Sequence, residues 1–198
     1  GSGVLREHIY RNPDGSINRK SVKLSDGAWR QMRYENGTFT PGVKGVSNVP
    51  YGADRLAEDF SEKLAFIFEG EKDVERGWDR GLLATCNVGG AKNWKDELNA
   101  HLKDRTVCIV PDNDKAGTNH AQKVYASLTK SGINCFVLWG YREGLPDKGD
   151  FSDWMDANND EVDKFKDLAT TAQQKPREPV KNTKAKTDDE PEYFQVTE

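Results

Sequence analysis

The chain has 198 residues, 31% of them charged and 35% hydrophobic, with a mean hydropathy of −0.85 and a net charge of −4. That length suits one domain of ordinary size with an appendage and excludes two full domains. The longest apolar run, Leu64-Ala65-Phe66-Ile67-Phe68, is far short of the roughly 20 apolar residues of a membrane-spanning helix, and the N-terminus lacks an apolar export signal, so a cytoplasmic protein with no membrane partner is expected.

Residues 6–45 read as short strands. Asn12-Pro13-Asp14-Gly15 is a turn between His8-Ile9-Tyr10-Arg11 and Ile17–Leu24, and Asp26-Gly27 and Asn36-Gly37 are hairpin turns flanking Ala28–Tyr34. This predicts a small antiparallel sheet. Residues 1–50 carry eight Lys or Arg against four acids, a net +4, which leaves −8 for residues 51–198. A basic portion joined to an acidic portion calls for a functional reason.

From residue 62 the pattern changes to strand alternating with helix. Apolar runs at Leu64–Phe68, Gly81–Cys86, Thr106–Val110 and Ile133–Trp139 predict four strands. Helices are expected at Asp73–Arg80, Asn93–Leu102, Ala116–Leu128, Phe151–Asn158 and Glu161–Ala169. Repeated β-α units give a parallel sheet flanked by helices. The chain therefore divides into a basic β-rich subdomain at 1–55, an α/β domain at 56–170 and a tail or linker at 171–198, where Lys, Pro, Thr and Gln replace periodic apolar residues. The three cysteines, Cys86, Cys108 and Cys135, have no CxxC spacing and read as buried thiols in a reducing compartment.

In an open parallel sheet, ligands gather at the carboxyl ends of the strands. The first strand delivers Glu69-Gly70-Glu71-Lys72-Asp73 there, the second Asn87-Val88-Gly89-Gly90, and the third Asp112-Asn113-Asp114. The fourth leads to Asp147, Asp150 and Asp153. Acids crowded on one rim repel one another, and a hard divalent cation relieves that repulsion. Gly70 allows a sharp turn beside Glu69, and Gly89-Gly90 allows a phosphate close to the backbone, with Lys92 adding positive charge. A P-loop is excluded because Gly-x4-Gly-Lys-Ser/Thr does not occur. His8, His101 and His120 share no metal-ligand spacing, and no nucleophilic triad is visible.

Phe66-Ile67-Phe68-Glu69-Gly70-Glu71-Lys72-Asp73, then Gly89-Gly90, then Val110-Pro111-Asp112-Asn113-Asp114-Lys115-Ala116-Gly117 together resemble the Toprim domain. With Lys148-Gly149-Asp150-Phe151-Ser152-Asp153-Trp154 downstream, they resemble most the Toprim primases and primase-helicases of phages and plasmids. The resemblance implies that Glu69, Asp112 and Asp114 are catalytic and hold Mg²⁺ or Mn²⁺, with Asp150 at the later acidic position and Asp73 an accessory acid. Such primases often show two acids with one residue between them at that later position, whereas Phe151-Ser152 separates Asp150 from Asp153 here, so no metal role is assigned to Asp153.

The activity implied is metal-dependent nucleotidyl transfer, RNA primer synthesis from ribonucleoside triphosphates on single-stranded DNA. Gly70, Lys72, Asp73, Gly89, Gly90 and Lys92 are the expected nucleotide and phosphate contacts. Arg11, Arg19, Lys20, Lys23, Arg30 and Arg33, beside Tyr10, Trp29 and Tyr34, are expected to track the template by charge and stacking, unless those aromatics form the sheet's own small core. A replicative helicase domain or protein is the expected partner. Two rivals stand beside this reading: a Toprim nuclease using the same ions, and a non-catalytic nucleic-acid-binding module.

Overall fold

The structure is a computed structural model that describes residues 3–58, 64–90 and 93–174. Two four-stranded sheets organise it. The first is an antiparallel meander of β1 (Val4–Arg11), β2 (Ile17–Leu24), β3 (Trp29–Glu35) and β4 (Thr38–Pro41), in that spatial order. Its turns fall at the Pro-Asp-Gly, Asp-Gly and Asn-Gly sites, where Gly15, Gly27 and Gly37 adopt φ near +80°. β1 begins four residues before the expected His8, because Val4 and Arg6 continue the ladder opposite Leu24 and Lys23.

The second sheet is parallel, in the order β6-β5-β7-β8, with β5 (Leu64–Ile67) and β7 (Thr106–Ile109) central and β6 (Ala84–Thr85) and β8 (Asn134–Val137) at the edges. Its continuous apolar runs follow from burial on both faces. Phe66, Phe68, Ala84, Cys86, Cys108 and Val110 face one core. Ala65, Ile67, Val107, Ile109 and Cys135 face the other. The second strand is shorter than its apolar run: Leu82 and Leu83 are buried but lie outside the ladder, which holds Ala84 and Thr85.

The helices α1 (Ala53–Glu58), α2 (Glu71–Asp79), α3 (Lys115–Lys130), α4 (Phe151–Ala157) and α5 (Val162–Gln174) surround this sheet. At six residues, under two turns, α1 is too short for periodicity to reveal. The apolar spacing at Trp94, Leu98 and Leu102 forms only a 3₁₀ segment, Asp96–Leu102. Trp94 lies before it and donates its indole N–H to buried Asn99, whose amide reaches Ser127 and Ser131 on and just after α3. α5 runs to Gln174, and residues 175–198, on which the expectation of a tail rests, lie outside the described residues. All three cysteines are buried. No helix among the described residues is long and apolar enough to cross a membrane.

The antiparallel sheet docks on α2 through aromatic–carboxylate contacts. The Tyr10 hydroxyl donates to Glu71 at 2.7 Å, the Tyr51 hydroxyl donates to Glu75 at 2.6 Å, and His8 Nδ1 lies 2.8 Å from the same Glu75 oxygen. Tyr10 is fully buried against Tyr51, with ring centroids 4.9 Å apart. Burial, with Glu71 close by, drives the Tyr10 hydroxyl far above its ordinary pKa, so it remains a donor.

One aromatic knot closes the first core. Phe165 of α5 is fully buried and meets Phe66, Phe68, Tyr141, Phe151 and Trp154 with centroid distances of 4.8–6.4 Å. Phe165→Ala is expected to cost about 3–5 kcal/mol, which urea unfolding followed by tryptophan fluorescence would measure against the wild type.

Candidate active site at the carboxyl ends of the parallel strands

Chain direction puts the ends of β5 and β7 side by side, with Ile67 paired to Ile109. The residues just beyond them, Glu69 and Asp112, are therefore neighbours. The Asp112 backbone N–H donates to Glu69 Oε1 at 3.0 Å. Gly117 in the first turn of α3 permits this approach: a Cβ there would stand 2.4 Å from both Glu69 Oε1 and the Asp112 carbonyl oxygen. The glycine that closes the Asp112–Gly117 motif thus makes room for the Glu69 carboxylate.

Asp114 is the N-cap of α3, its Oδ1 accepting the Gly117 N–H at 2.7 Å. Asp150 caps α4 in a reciprocal box: its Oδ1 accepts from the Asp153 N–H while Asp153 accepts from the Asp150 N–H. That box gives Asp153 a capping role. The other oxygen of Asp150 lies 2.6 Å from Lys72 Nζ. Asp73 is 4% exposed and accepts from both the N–H and the hydroxyl of Ser152. Asp147 is exposed on the loop after β8.

These acids feel one another. Burial pushes the Asp112 carboxyl up to about 8, with Glu69, Asp73, Asp150 and Asp114 adding repulsion. Burial also raises Glu69, where Asp114 and Asp73 add to it and the Asp112 N–H and Arg142 oppose it. Asp73 is raised by burial against its bonds to Ser152. The shared rise is the electrostatic signature of an acidic centre short of positive charge. In donor chemistry the set fits a hard divalent cation. The spacing is looser: among the described residues, no three His, Cys, Asp or Glu side chains are gathered tightly enough to chelate an ion as they stand.

Several contributors were not evident from the sequence. Arg142, at the end of a 3₁₀ turn after β8, donates to the Asp112 carbonyl at 3.2 Å and to Thr118 Oγ1 at 3.1 Å. The neighbouring Tyr141 hydroxyl donates to the Pro111 carbonyl, and the Asn113 side-chain amide reaches the carbonyls of Leu145 and Pro146. The 139–149 segment thus braces the Asp112–Asp114 loop. Nothing in spacing marks these residues, because each acts through a partner about 30 positions away.

Two hollows adjoin the acids. A groove of about 1080 Å³ runs between the antiparallel sheet and the strand ends, with Lys20, Trp29 and Arg30 on one wall and Glu69, Gly70, Gly89 and Gly90 on the other. Gly89 and Gly90 both adopt φ above +70°. A smaller hollow of about 320 Å³ beside it is lined by Arg6, Trp29, Lys72, Asp73, Asp112 and Asp150 among others.

The expected basic residues differ in availability. Lys23 and Arg30 are exposed. Lys20 pairs with Glu7 at 3.0 Å and lies over the Phe39 ring, and Arg33 pairs with Glu35 at 2.6 Å. Arg11 donates to the Gly15 carbonyl, bracing the first turn. Arg19 is only 4% exposed, its guanidinium held by Ser47 and Asn48, so it is part of the sheet's interior. Lys92 lies outside the described residues. Of the aromatics, Tyr10 is core and Tyr34 packs on Phe39, while Trp29 is 48% exposed and stacks on His8. Arg6, not singled out from sequence, lines the smaller hollow.

Residues 66–155 match the Toprim-like family model. No curated protein matches the chain. Among solved structures, the DnaG primase catalytic domain bound to ssDNA is similar at 16% identity and a TM-score of 0.63, over 84% of this chain and 51% of that one. The E. coli primase catalytic core is similar at 17% identity and a TM-score of 0.61, over 84% and 51% of the two chains. The primase fragment of the bacteriophage T7 primase-helicase protein is similar at 16% identity and a TM-score of 0.56, over 81% and 60%. This chain spans half to three-fifths of those three, and at such identities the likeness is one of fold. Motif, topology and family match agree: residues 66–155 of this chain match the Toprim-like family and have a Toprim-like fold, similar to that of primase catalytic cores.

Proposed function

We propose that the chain is the catalytic part of a primase, joining ribonucleotides on a single-stranded DNA template with Mg²⁺ or Mn²⁺. One observation carries this reading: the basic, tryptophan-bearing groove opens directly onto the acids at the strand ends. Charge and stacking for a strand thus lie beside a set of hard oxygen donors. The similar fold of primase cores, one of them bound to ssDNA, supports it. Coupling to a helicase and a cytoplasmic setting belong to the same proposal.

Glu69, Asp112 and Asp114 would hold the cation, with Asp150 beside them. The cation would supply charge stabilisation at the transferring phosphate and at the leaving pyrophosphate. The chain's own part is positioning. Glu69 is held by the Asp112 N–H, and Asp112 by its burial and by Arg142 on its carbonyl. Gly70, Gly89 and Gly90 leave the groove wall free of side chains, so a phosphate can reach the backbone. Arg30 and Lys23 offer positive charge to the strand, and Trp29 offers a face for a base.

The absence of a gathered three-acid group among the described residues favours a second reading, a nucleic-acid-binding module without catalysis. Primer synthesis decides between them. The wild-type chain is expected to extend ribonucleotides on single-stranded DNA with Mn²⁺, and an Asp112→Ala, Asp114→Ala double variant is expected to lose at least 100-fold of that rate, on the order of 3 kcal/mol of barrier. A wild type that binds the strand but makes no product leaves the binding module.

The acids also set a pH dependence. Asp112 titrates at about 8 in the fold and near its ordinary value, about 4, when unfolded. Between these values the folded chain keeps a proton that the unfolded chain has released, so stability falls as pH rises through that window. In chelator, the wild-type Tm is expected to drop between about pH 5 and pH 8, and Asp112→Asn to flatten the drop. Mn²⁺ at pH 8 should restore the wild-type Tm and leave the variant unchanged.

Trp29→Ala is expected to weaken single-stranded DNA binding about tenfold, within the 1–3 kcal/mol of one stacked base. Fluorescence anisotropy with a labelled oligonucleotide would measure it.

A further inference from the structure

Lys72 sits in the first turn of α2, where the helix dipole disfavours a cation. Its position needs another cause, and the smaller hollow supplies one. Lys72 Nζ lies 2.6 Å from Asp150 Oδ2 and 4.0 Å from Asp73 Oδ1, and Glu69 and Asp112 line the same space. Arg6 is the other cation on that lining.

The acids differ in what ties them down. Asp150 uses Oδ1 to cap α4 and gives Oδ2 to Lys72, so withdrawal of the ammonium frees one oxygen without uncapping the helix. Asp73 is fixed by Ser152, whose N–H and hydroxyl both donate to the Oδ1 that lies 4.0 Å from Lys72. The Lys72 side chain is 47% exposed on a flexible four-carbon stem. It can therefore turn out of the hollow once an entering cation takes over the charge of Asp150, whose own side chain is 19% exposed.

We propose that Lys72 is a resident counter-ion: its ammonium partly neutralises the acidic hollow in the cation-free protein and moves aside when a divalent cation enters. The inference rests on the cation-binding reading given under the proposed function. It makes Lys72 a positioning residue whose second state puts its charge at the rim of the hollow, facing the groove where a triphosphate would lie. Cation entry and presentation of Lys72 to phosphate then become one event.

Calorimetry on the full chain with Mn²⁺ alone tests this. Lys72→Met is expected to bind Mn²⁺ about tenfold more tightly than the wild type, because the ion no longer competes with an ammonium. In chelator its Tm should be lower, since the acids lose their counter-charge. Lys72→Arg, which keeps the charge, should bind like the wild type. A second readout uses the wild type only: reductive methylation followed by mass spectrometry should modify Lys72 faster with saturating Mg²⁺ than in chelator, while exposed Lys23 reacts at one rate throughout. Equal or weaker Mn²⁺ binding by Lys72→Met, or a methylation rate at Lys72 that Mg²⁺ does not change, overturns the counter-ion role and leaves the metal reading intact. Absence of Mn²⁺ binding at millimolar levels in all three chains overturns both.

Discussion

The Asp112 amide hydrogen bond to Glu69 is the contact on which the site depends. It joins the ends of the two central strands and brings together carboxylates that repel. Such a pairing needs a backbone dipole on one side and an absent side chain on the other. The Asp112 N–H supplies the first and Gly117 the second. With any Cβ at Gly117, Glu69 or the Asp112–Asp114 loop would have to move, and the acids would separate. Order here comes from steric permission and one hydrogen bond, against the electrostatics.

Around that contact the protein spends its polar groups on bracing. Arg142, Tyr141 and Asn113 tie the loop after β7 to the segment after β8. Ser152 holds Asp73, and the Asp150–Asp153 box fixes the start of α4. On the far side of α2, Arg76 reaches Asp156 and Asp160, at and after the end of α4, at 2.6 Å each. The result is a rigid frame with a strained charge distribution at its centre. A fold optimised for stability alone would have neutralised it.

The antiparallel sheet matters because it is docked. Tyr10 and His8 of β1 anchor it to α2, the helix that follows Glu69, and both pack against Tyr51. The basic wall is thereby held at a set distance from the acidic rim. The opposite charges of the two portions, +4 and −8, then make physical sense. On the proposed reading one wall would attract a polyanion and the other a cation, with the groove between them.

Much of this was legible in the order of residues. Apolar runs of strand length, glycine turns and acids after three of the four runs determined the parallel sheet, the hairpins and the rim, because local sequence dictates period and turn geometry. The Asp112–Gly117 and Glu69–Asp73 motifs carried the family. Tertiary structure alone decided which charges are available. Arg19 looks identical to Arg30 in a basic strand, yet one is enclosed by the 47–48 loop and the other faces the groove. The same holds for Tyr10 and Trp29, for Asp153 against Asp150, and for Arg142, whose partner is 30 residues away. Burial and long-range partnership are properties of the packed chain, and no local pattern encodes them.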